Sequence, residues 1–257
     1  MKDRIKEHWD NSADGYSKYV NYGMRSKRRH VWKDVLAREI GRYKVKVLDV
    51  GTGPGTLALI LAELGHDVIG LDASEEMLKC GRENAIRFDL NVNFVQGDAE
   101  KLQFDDESFD VVASRALLWT LPQPEKALRE WKRVLKPMGK IVIIDGSWHS
   151  NRKRYLRTPW RLLSLPLIAI TERRTSALTH YNQKMLSQLP LVNKDRPSYD
   201  TDLLRSLGFK DIRARAMSRK DEGLIEFLKY GCWGDSFLVS GLKSRSIPAT
   251  EGERCED

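Results

Sequence analysis

VLDVGTGPGTL, residues 47–57, is the stretch that decides the fold of this chain. An apolar strand leads to Asp49, three glycines follow at alternate positions (Gly51, Gly53 and Gly55), and an apolar-periodic helix opens after them. Glycine lets the backbone turn sharply, and it lets a ligand approach more closely than a Cβ atom would permit. The free N–H groups at the start of the helix point at whatever occupies the turn. The stretch therefore predicts a nucleoside-containing ligand at the carboxyl end of a strand.

Short runs rich in Val and Ile alternate with helical patterns along most of the chain. Strands are predicted at 45–50, 67–72, 92–96, 109–114, 140–145, near 210–217 and at 235–242, and helices at 55–64, 75–88, 125–135, 200–207 and within 1–43. This alternation predicts an α/β fold with a parallel sheet, right-handed crossovers and helices on both faces. It stops after Asp145, and residues 148–198 are too long for a structureless loop, so a helical cap is expected there.

Composition narrows the class of protein. The chain has 257 residues, of which 31% are charged and 41% hydrophobic, and no run reaches the roughly 18 apolar residues that span a bilayer. The charged start MKDRIKEHWD lacks the apolar core of a signal peptide. Cys80, Cys232 and Cys255 are far apart, which predicts reduced thiols, a cytoplasmic location and no metal site.

The net charge of +8 leaves two interpretations open, a basic enzyme with solvated lysines or a protein that binds RNA phosphates. The basic residues between 152 and 174 are Arg152, Lys153, Arg154, Arg157, Arg161, Arg173 and Arg174. They are not interleaved with stacking aromatics on a strand, which favours the first interpretation. The acidic end, residues 244–257, is expected to be a flexible tail.

Two more predicted strands end in acidic residues. DVIGLD ends in Asp72, 23 residues after Asp49, and QGDAE places Asp98 at the end of the next strand. A carboxylate at the first position can accept both hydroxyls of a ribose, and one at the second can accept an exocyclic amine of a base. The three strand ends together predict a site for adenosine that carries something other than a diphosphate.

These motifs resemble the class I S-adenosylmethionine-dependent methyltransferases over residues 9–243. VLDVGTGPG is similar to the family's first motif, GLDAS to its ribose-binding strand end, GDAEKLQFDDESFDVVAS to its adenine-binding segment and fourth strand, and EWKRVLKPMGKIVIID to its helix, LKPGG-type turn and fifth strand. Met138 stands where the family usually has the first glycine of that turn. The resemblance implies a Rossmann-like doubly wound sheet of seven strands, mostly parallel with an antiparallel last strand. It also implies S-adenosyl-L-methionine as cofactor and S-adenosyl-L-homocysteine as product.

The resemblance implies roles for individual residues. The cofactor residues are Asp49, Gly51, Thr52, Gly53 and Gly55 at the methionine part, Asp72 at the ribose, Ala73, Met77, Asp98 and Ala99 at the adenine, and Ser114 and Arg115 near the transferring methyl. HWDNSADGYSKY is similar to the WD-x-x-A-x-x-Y lid of small-molecule members, in which Tyr16 and Tyr19 would close over the cofactor. Core packing for Met77, helix packing for the two tyrosines and a structural ion pair for Arg115 remain alternatives.

The chain is accordingly divided into an N-terminal helical lid (1–43), a cofactor-binding core (44–147), a cap that contacts substrate (148–198), a C-terminal completion of the sheet (199–243) and the tail. The apolar piece of the cap could instead rest on a membrane surface. The oligomeric state does not follow from the sequence.

The predicted function is transfer of a methyl group by in-line displacement to a small-molecule acceptor. After the fourth strand the chain lacks the Asn/Asp-Pro-Pro-Tyr motif of amino-methylating DNA enzymes. Its LLWTLP is instead similar to the ubiquinone and menaquinone biosynthesis group. Trp119, Trp148 and Tyr181 are expected at the substrate pocket, with core packing as the alternative for the two tryptophans. His149 and Arg115 are the candidate catalytic residues, with His149 as the candidate base. The alternatives are an RNA methyltransferase and a cofactor-binding protein without catalysis.

Overall fold

The computed structural model describes residues 1–146, 154–172, 186–217, 224–230 and 236–245. The strands are β1 (Lys46–Val50), β2 (Asp67–Asp72), β3 (Asn93–Gln96), β4 (Phe109–Arg115), β5 (Leu135–Gly146), β6 (Phe209–Met217) and β7 (Ser236–Lys243). The α-helices are α1 (Lys2–Asp10), α2 (Ala13–Arg25), α3 (Arg28–Ile40), α4 (Ala58–Glu63), α5 (Glu75–Arg87), α6 (Pro124–Val134), α7 (Arg154–Glu172), α8 (Ser198–Ser206) and α9 (Leu224–Tyr230).

All seven strands form one sheet in the order β3-β2-β1-β4-β5-β7-β6. The pairs among β1 to β5 are parallel, whereas β7 runs antiparallel to both β5 and β6. This confirms the predicted Rossmann-like sheet with an antiparallel last strand. The winding direction reverses between β1 and β4, and in such sheets ligands bind outside the carboxyl ends of the strands at that reversal. The topology therefore places the ends of β1, β2 and β4 around one crevice.

Helices cover both faces of the sheet and bury two apolar clusters. On one face α6 contributes Trp131, which is fully buried and whose Nε1 donates to the Ala99 carbonyl at 3.0 Å. On the other face α4 packs against β2 and α3 packs against α4, with Leu36 and Leu59 fully buried. The two clusters hold the sheet rigid, so that the strand ends form a fixed platform.

Helix α4 begins at Ala58, whereas the sequence pattern predicts a helix from residue 55. The reason is the backbone of Gly51, Gly53 and Gly55, which have φ of +71°, +54° and +89°. Left-handed residues cannot propagate a right-handed helix, so the glycine turn is longer and the helix shorter than predicted.

Strand β5 begins at Leu135, five residues before the predicted start at residue 140. Its pairing with β4 shifts between Phe109↔Leu135 and Val111↔Lys140, which leaves residues 136–139 as a bulge. Met138 lies in this bulge with a φ of 62° and a half-exposed side chain. The family's usual glycine adopts that backbone conformation without the strain that a Cβ atom adds.

No helix of the described residues combines the length and the apolar character that crossing a membrane requires.

Candidate cofactor-binding site

The glycine turn is fixed to the end of β2 by its own backbone. The N–H groups of Gly51 and Thr52 both donate to the Leu71 carbonyl, at 2.7 and 3.0 Å. A Cβ atom on Gly51 would lie 2.7 Å from the Leu117 side chain, so this glycine is required for packing. Gly51 thus allows the close approach of two chain segments.

Gly53 differs, because a Cβ atom there would meet only the Met77 sulfur, at 3.9 Å. Its N–H donates to the Asp72 carboxylate at 2.8 Å, and the other oxygen of that carboxylate accepts from the Ser74 N–H at 2.9 Å. Burial raises the pKa of Asp72. The open space beside Gly53 is where the resemblance places the ligand. Met77 lines it while itself being 2% exposed, so core packing and ligand contact are compatible at this position.

Asp49 is the buried acid of the site, with 1% of its surface exposed. Its Oδ2 accepts hydrogen bonds from the Thr52 hydroxyl at 2.7 Å and the Ala58 N–H at 3.1 Å. Its Oδ1 has no hydrogen-bond partner in the described part of the chain. Burial raises the pKa of Asp49 to about 7. A buried acceptor of this kind fits a ligand that brings a positive charge or a donor.

Asp98 and Ala99 follow β3, at the same edge of the sheet. One Asp98 oxygen accepts from the Glu100 N–H at 2.8 Å, and the other pairs with the Lys2 ammonium of α1 at 2.7 Å. Lys2 is a site neighbour that sequence reasoning missed, because nothing in the sequence links a lone lysine to a carboxylate 96 residues away. Ala73 follows the last residue of β2, and its carbonyl accepts a hydrogen bond from the Gln96 side-chain amide at 3.1 Å.

Arg115, the last residue of β4, contacts the N-terminal helices. Its guanidinium donates to the Tyr19 hydroxyl at 3.1 Å and lies 5.5 Å from the centre of the Trp32 ring. Arg28, which is 5% exposed, also donates to the Tyr19 hydroxyl and lies 4.6 Å from the centre of the Tyr19 ring. The structure thus brings two predicted site residues, Tyr19 and Arg115, into contact. Arg28 and Trp32 were missed because α3 carries no recognisable motif.

Arg115 is half-buried and forms no ion pair with a carboxylate within the described ranges. The structural ion pair considered as an alternative for this arginine is therefore not observed. Arg28 and Arg115 both donate to the Tyr19 hydroxyl, so two guanidinium groups meet at the end of β4.

The first two helices are attached to the platform by side-chain contacts. Asp10, at the end of α1, accepts a hydrogen bond from the Ser74 hydroxyl at 2.5 Å, and Trp9 contacts the half-buried Tyr16 edge-on at 5.3 Å. Asn84 accepts from the Asn21 amide of α2 at 2.8 Å and donates to the Pro54 carbonyl of the glycine turn at 3.0 Å. The helices thus lie over the carboxyl ends of the strands.

The remaining predicted residues are placed as follows. Ser114 is fully buried and its hydroxyl donates to the Val50 carbonyl at 2.8 Å, which links β4 to β1. Trp119 is 9% exposed and belongs to the cluster beneath α6. Trp148, His149 and Tyr181 lie outside the described residues, so their roles stay predictions.

A buried ion cluster lies at the end of β5. The Arg196 guanidinium pairs with Asp200 at 2.6 Å and with Asp145 at 2.9 Å, and all three side chains are at most 2% exposed. The cluster joins the segment before α8 to the sheet. The sequence gives no signal for it, because the pairing depends on how the chain returns after α7.

S-adenosylmethionine fits the residues present. The unpaired Asp49 oxygen, the open space beside Gly53 and the carboxylate of Asp72 lie on consecutive elements around one crevice. The first suits the cofactor's amino group, the second its methionine backbone and the third its ribose hydroxyls. Within the described residues no group of His, Cys, Asp and Glu side chains could hold a metal ion.

Comparison with known proteins agrees with this geometry. Residues 48–143 match the family described as Methyltransferase domain. The chain is 30% identical over 220 residues to the ubiquinone/menaquinone biosynthesis C-methyltransferase UbiE of Rickettsia felis, covering 82% of this chain and 86% of that protein. It is 34% identical over 168 residues to the Rickettsia massiliae UbiE, covering 62% of this chain and 66% of that protein.

Two solved structures share the fold. The Haemonchus contortus phosphoethanolamine N-methyltransferase 2 in complex with S-adenosyl-L-methionine superposes with a TM-score of 0.56 at 18% identity, covering 83% of this chain and 52% of that one. The PH0226 protein from Pyrococcus horikoshii superposes with a TM-score of 0.53 at 21% identity, covering 84% and 89%. None of these four proteins is named as a nucleic-acid methyltransferase, so the RNA alternative gains no support. The chain belongs to the class I S-adenosylmethionine-dependent methyltransferases, in the group related to the ubiquinone and menaquinone biosynthesis C-methyltransferases.

Proposed function

We propose that this methyltransferase acts on a small-molecule acceptor held in a chamber beneath the N-terminal helices. The observation that supports this most is the attachment of those helices to the strand ends. Tyr19 contacts Arg115, Asp10 contacts Ser74, and Asn21 contacts Asn84. A macromolecular acceptor needs an open groove, whereas these contacts cover the crevice. The relatives named C-methyltransferase support carbon as the acceptor atom.

The protein itself needs to form no covalent bond with the substrate, because the cofactor carries the reactive methyl group. When bound, S-adenosylmethionine supplies an activated methyl group on a sulfonium. The chain's own residues hold the cofactor through Asp49, Asp72 and the glycine turn, and the covering helices exclude water. A carbon nucleophile must also lose a proton. His149, which follows β5 in the sequence, remains the proposed base for that step.

Arg115 is proposed to bind an anionic group of the acceptor beside the transferring methyl. Its guanidinium donates to the Tyr19 hydroxyl and lies near the rings of Tyr19 and Trp32, and it forms no direct ion pair with a carboxylate of the described residues. A guanidinium held in this way is well suited to a carboxylate or a phenolate. A phenolate activates its own ring carbons toward methylation, which agrees with carbon as the acceptor atom.

The test is transfer of radiolabelled methyl from S-adenosylmethionine into three separate pools, an organic-solvent extract of cells, total RNA and total protein. We expect label in the organic extract only, and excess S-adenosylhomocysteine should abolish it. Arg115→Met should lower this transfer while S-adenosylmethionine binding stays measurable by calorimetry. Label confined to RNA or protein would contradict the proposal.

A further inference from the structure

Helix α7 has an inverted distribution of apolar residues. Among the α7 positions whose exposure the structure describes, every exposed one is apolar: Pro159, Leu162, Leu163, Pro166, Ala169 and Ile170. They recur with the spacing of a single helix face. The three largest are strongly exposed, Leu162 at 68%, Leu163 at 79% and Ile170 at 76%. A helix of a water-soluble protein normally turns such a stripe toward the core.

The opposite side of α7 packs on the protein. Ser164 and Ile168 are buried, at 2% and 0% exposed, and Ile168 belongs to the same cluster as Tyr19 and Met24 of α2. The exposed stripe therefore belongs to a helix that is packed on the rest of the protein. The helix is seated on the covering helices, and its large apolar side chains point away from them.

The neighbouring helix α9 shows the same feature. Leu224, Ile225 and Leu228 are 73%, 52% and 44% exposed. The two helices contact each other through Trp160 and Phe227, whose rings lie edge-on with centres 5.6 Å apart. We call the six side chains the outer apolar face: Leu162, Leu163, Ile170, Leu224, Ile225 and Leu228. Large exposed apolar surfaces of a protein mark interaction sites.

We propose that the outer apolar face docks on an anionic lipid bilayer. Residues 152–174 contain seven basic side chains and one acidic one, Glu172, which complements anionic headgroups. The same charge disfavours a second copy of this chain, because two such segments would repel each other. Helix α7 has 19 residues, and no described helix could span a bilayer, so α7 would lie in the interface plane.

Docking in this orientation has a functional consequence, which rests on the proposed function. Ile168, on the buried side of α7, packs in the same cluster as Tyr19 of the chamber. An amphiphilic acceptor dissolved in the bilayer would then lie close to the covered crevice.

The experiment is co-sedimentation of the full chain with phosphatidylcholine vesicles, with and without phosphatidylglycerol. We expect binding to the anionic vesicles only, weakened by salt. The double variant Leu163→Glu/Ile170→Glu should reduce binding by roughly tenfold or more, because it places two charges in the docking face. Ile86→Glu is the matched control, since Ile86 is 82% exposed on α5, and it should bind like wild type.

Three results would overturn the proposal: no binding to anionic vesicles, equal binding by the double variant, or a wild-type dimer in light scattering that the double variant dissociates. The milder Leu163→Ser/Ile170→Ser variant repeats the comparison if the charged one melts at a lower temperature. Calorimetry of S-adenosylmethionine separates the two proposals. The double variant should bind the cofactor like wild type, whereas a wild type that binds vesicles but neither binds nor uses the cofactor would fail only the proposed function.

Discussion

Cofactor binding should be coupled to ionisation of Asp49. This side chain is 1% exposed, and burial raises its pKa to about 7. A protonated Asp49 is neutral, whereas the ionised form attracts the positive charges of the amino group and the sulfonium. The cofactor therefore prefers the ionised form, and binding must release a proton wherever the free protein holds one.

The magnitude follows from that pKa. With a single group titrating at about 7 and ionised in the complex, the affinity should rise about fivefold between pH 6 and pH 7. The measurement belongs below about pH 7.5, because the cofactor's own α-amino group loses its charge above that range. Proton release should fall from roughly 0.9 per cofactor at pH 6 to roughly half at pH 7.

The assay is isothermal calorimetry in two buffers of different protonation enthalpy, which measures the affinity and the released protons together. Asp49→Asn is the matched control, since the amide keeps the shape but cannot ionise, and its affinity should be independent of pH over this range. A wild-type affinity that is flat or falls from pH 6 to 7 would refute the reasoning, as would the same slope in Asp49→Asn.

The same shift has a consequence for the free protein. The folded pKa lies above the unfolded one, so the stabilising effect is complete below about pH 4 and is lost as the pH rises toward 7. Relative to Asp49→Asn, the free energy of unfolding of wild type should fall by an amount on the order of 4 kcal/mol over that interval.

Three further substitutions test the surrounding structure. Gly51→Ala should lower the melting temperature strongly, because its Cβ atom would lie 2.7 Å from the Leu117 side chain. Gly53→Ala, whose Cβ atom would have its nearest contact at 3.9 Å, should mainly weaken cofactor binding in calorimetry. A larger loss of stability in Gly53→Ala than in Gly51→Ala would contradict this difference between the two glycines. Met138→Gly should stabilise the fold by up to about 1 kcal/mol in urea denaturation by relieving a φ of 62°, and Met138→Ala should not. Arg196→Met removes the cation from two buried carboxylates and should cost about 3–5 kcal/mol; a loss below about 1 kcal/mol would show that the cluster is dispensable.

The strands and the cofactor motifs were predictable because they depend on local patterns. A strand needs only a short apolar run, and the glycine turn needs only its three glycines, so β1 to β4 appear within one residue of their predicted bounds. The predicted start of α4 was wrong, because the pattern of apolar residues does not reveal that the backbone of Gly55 is left-handed. The bulge at Met138 was not predicted, because the pattern of apolar residues does not reveal the left-handed backbone of Met138 either.

The contacts that cover and brace the site could not be read from the sequence. Lys2 reaches Asp98 and Arg28 reaches Tyr19 only because α1 to α3 fold back over the strand ends. Arg196 reaches Asp145 only after the chain returns from α7. Such pairs depend on tertiary packing, and a single sequence carries no periodic signal for them.

The most direct test of the central claim is a crystal structure of the protein with S-adenosylhomocysteine. The account predicts ribose hydroxyls within hydrogen-bond distance of the Asp72 carboxylate, the amino group at the Asp49 oxygen that has no partner among the described residues, and the methionine backbone beside Gly53. A ligand bound elsewhere, or an Asp72 carboxylate that makes no contact with the sugar, would contradict it.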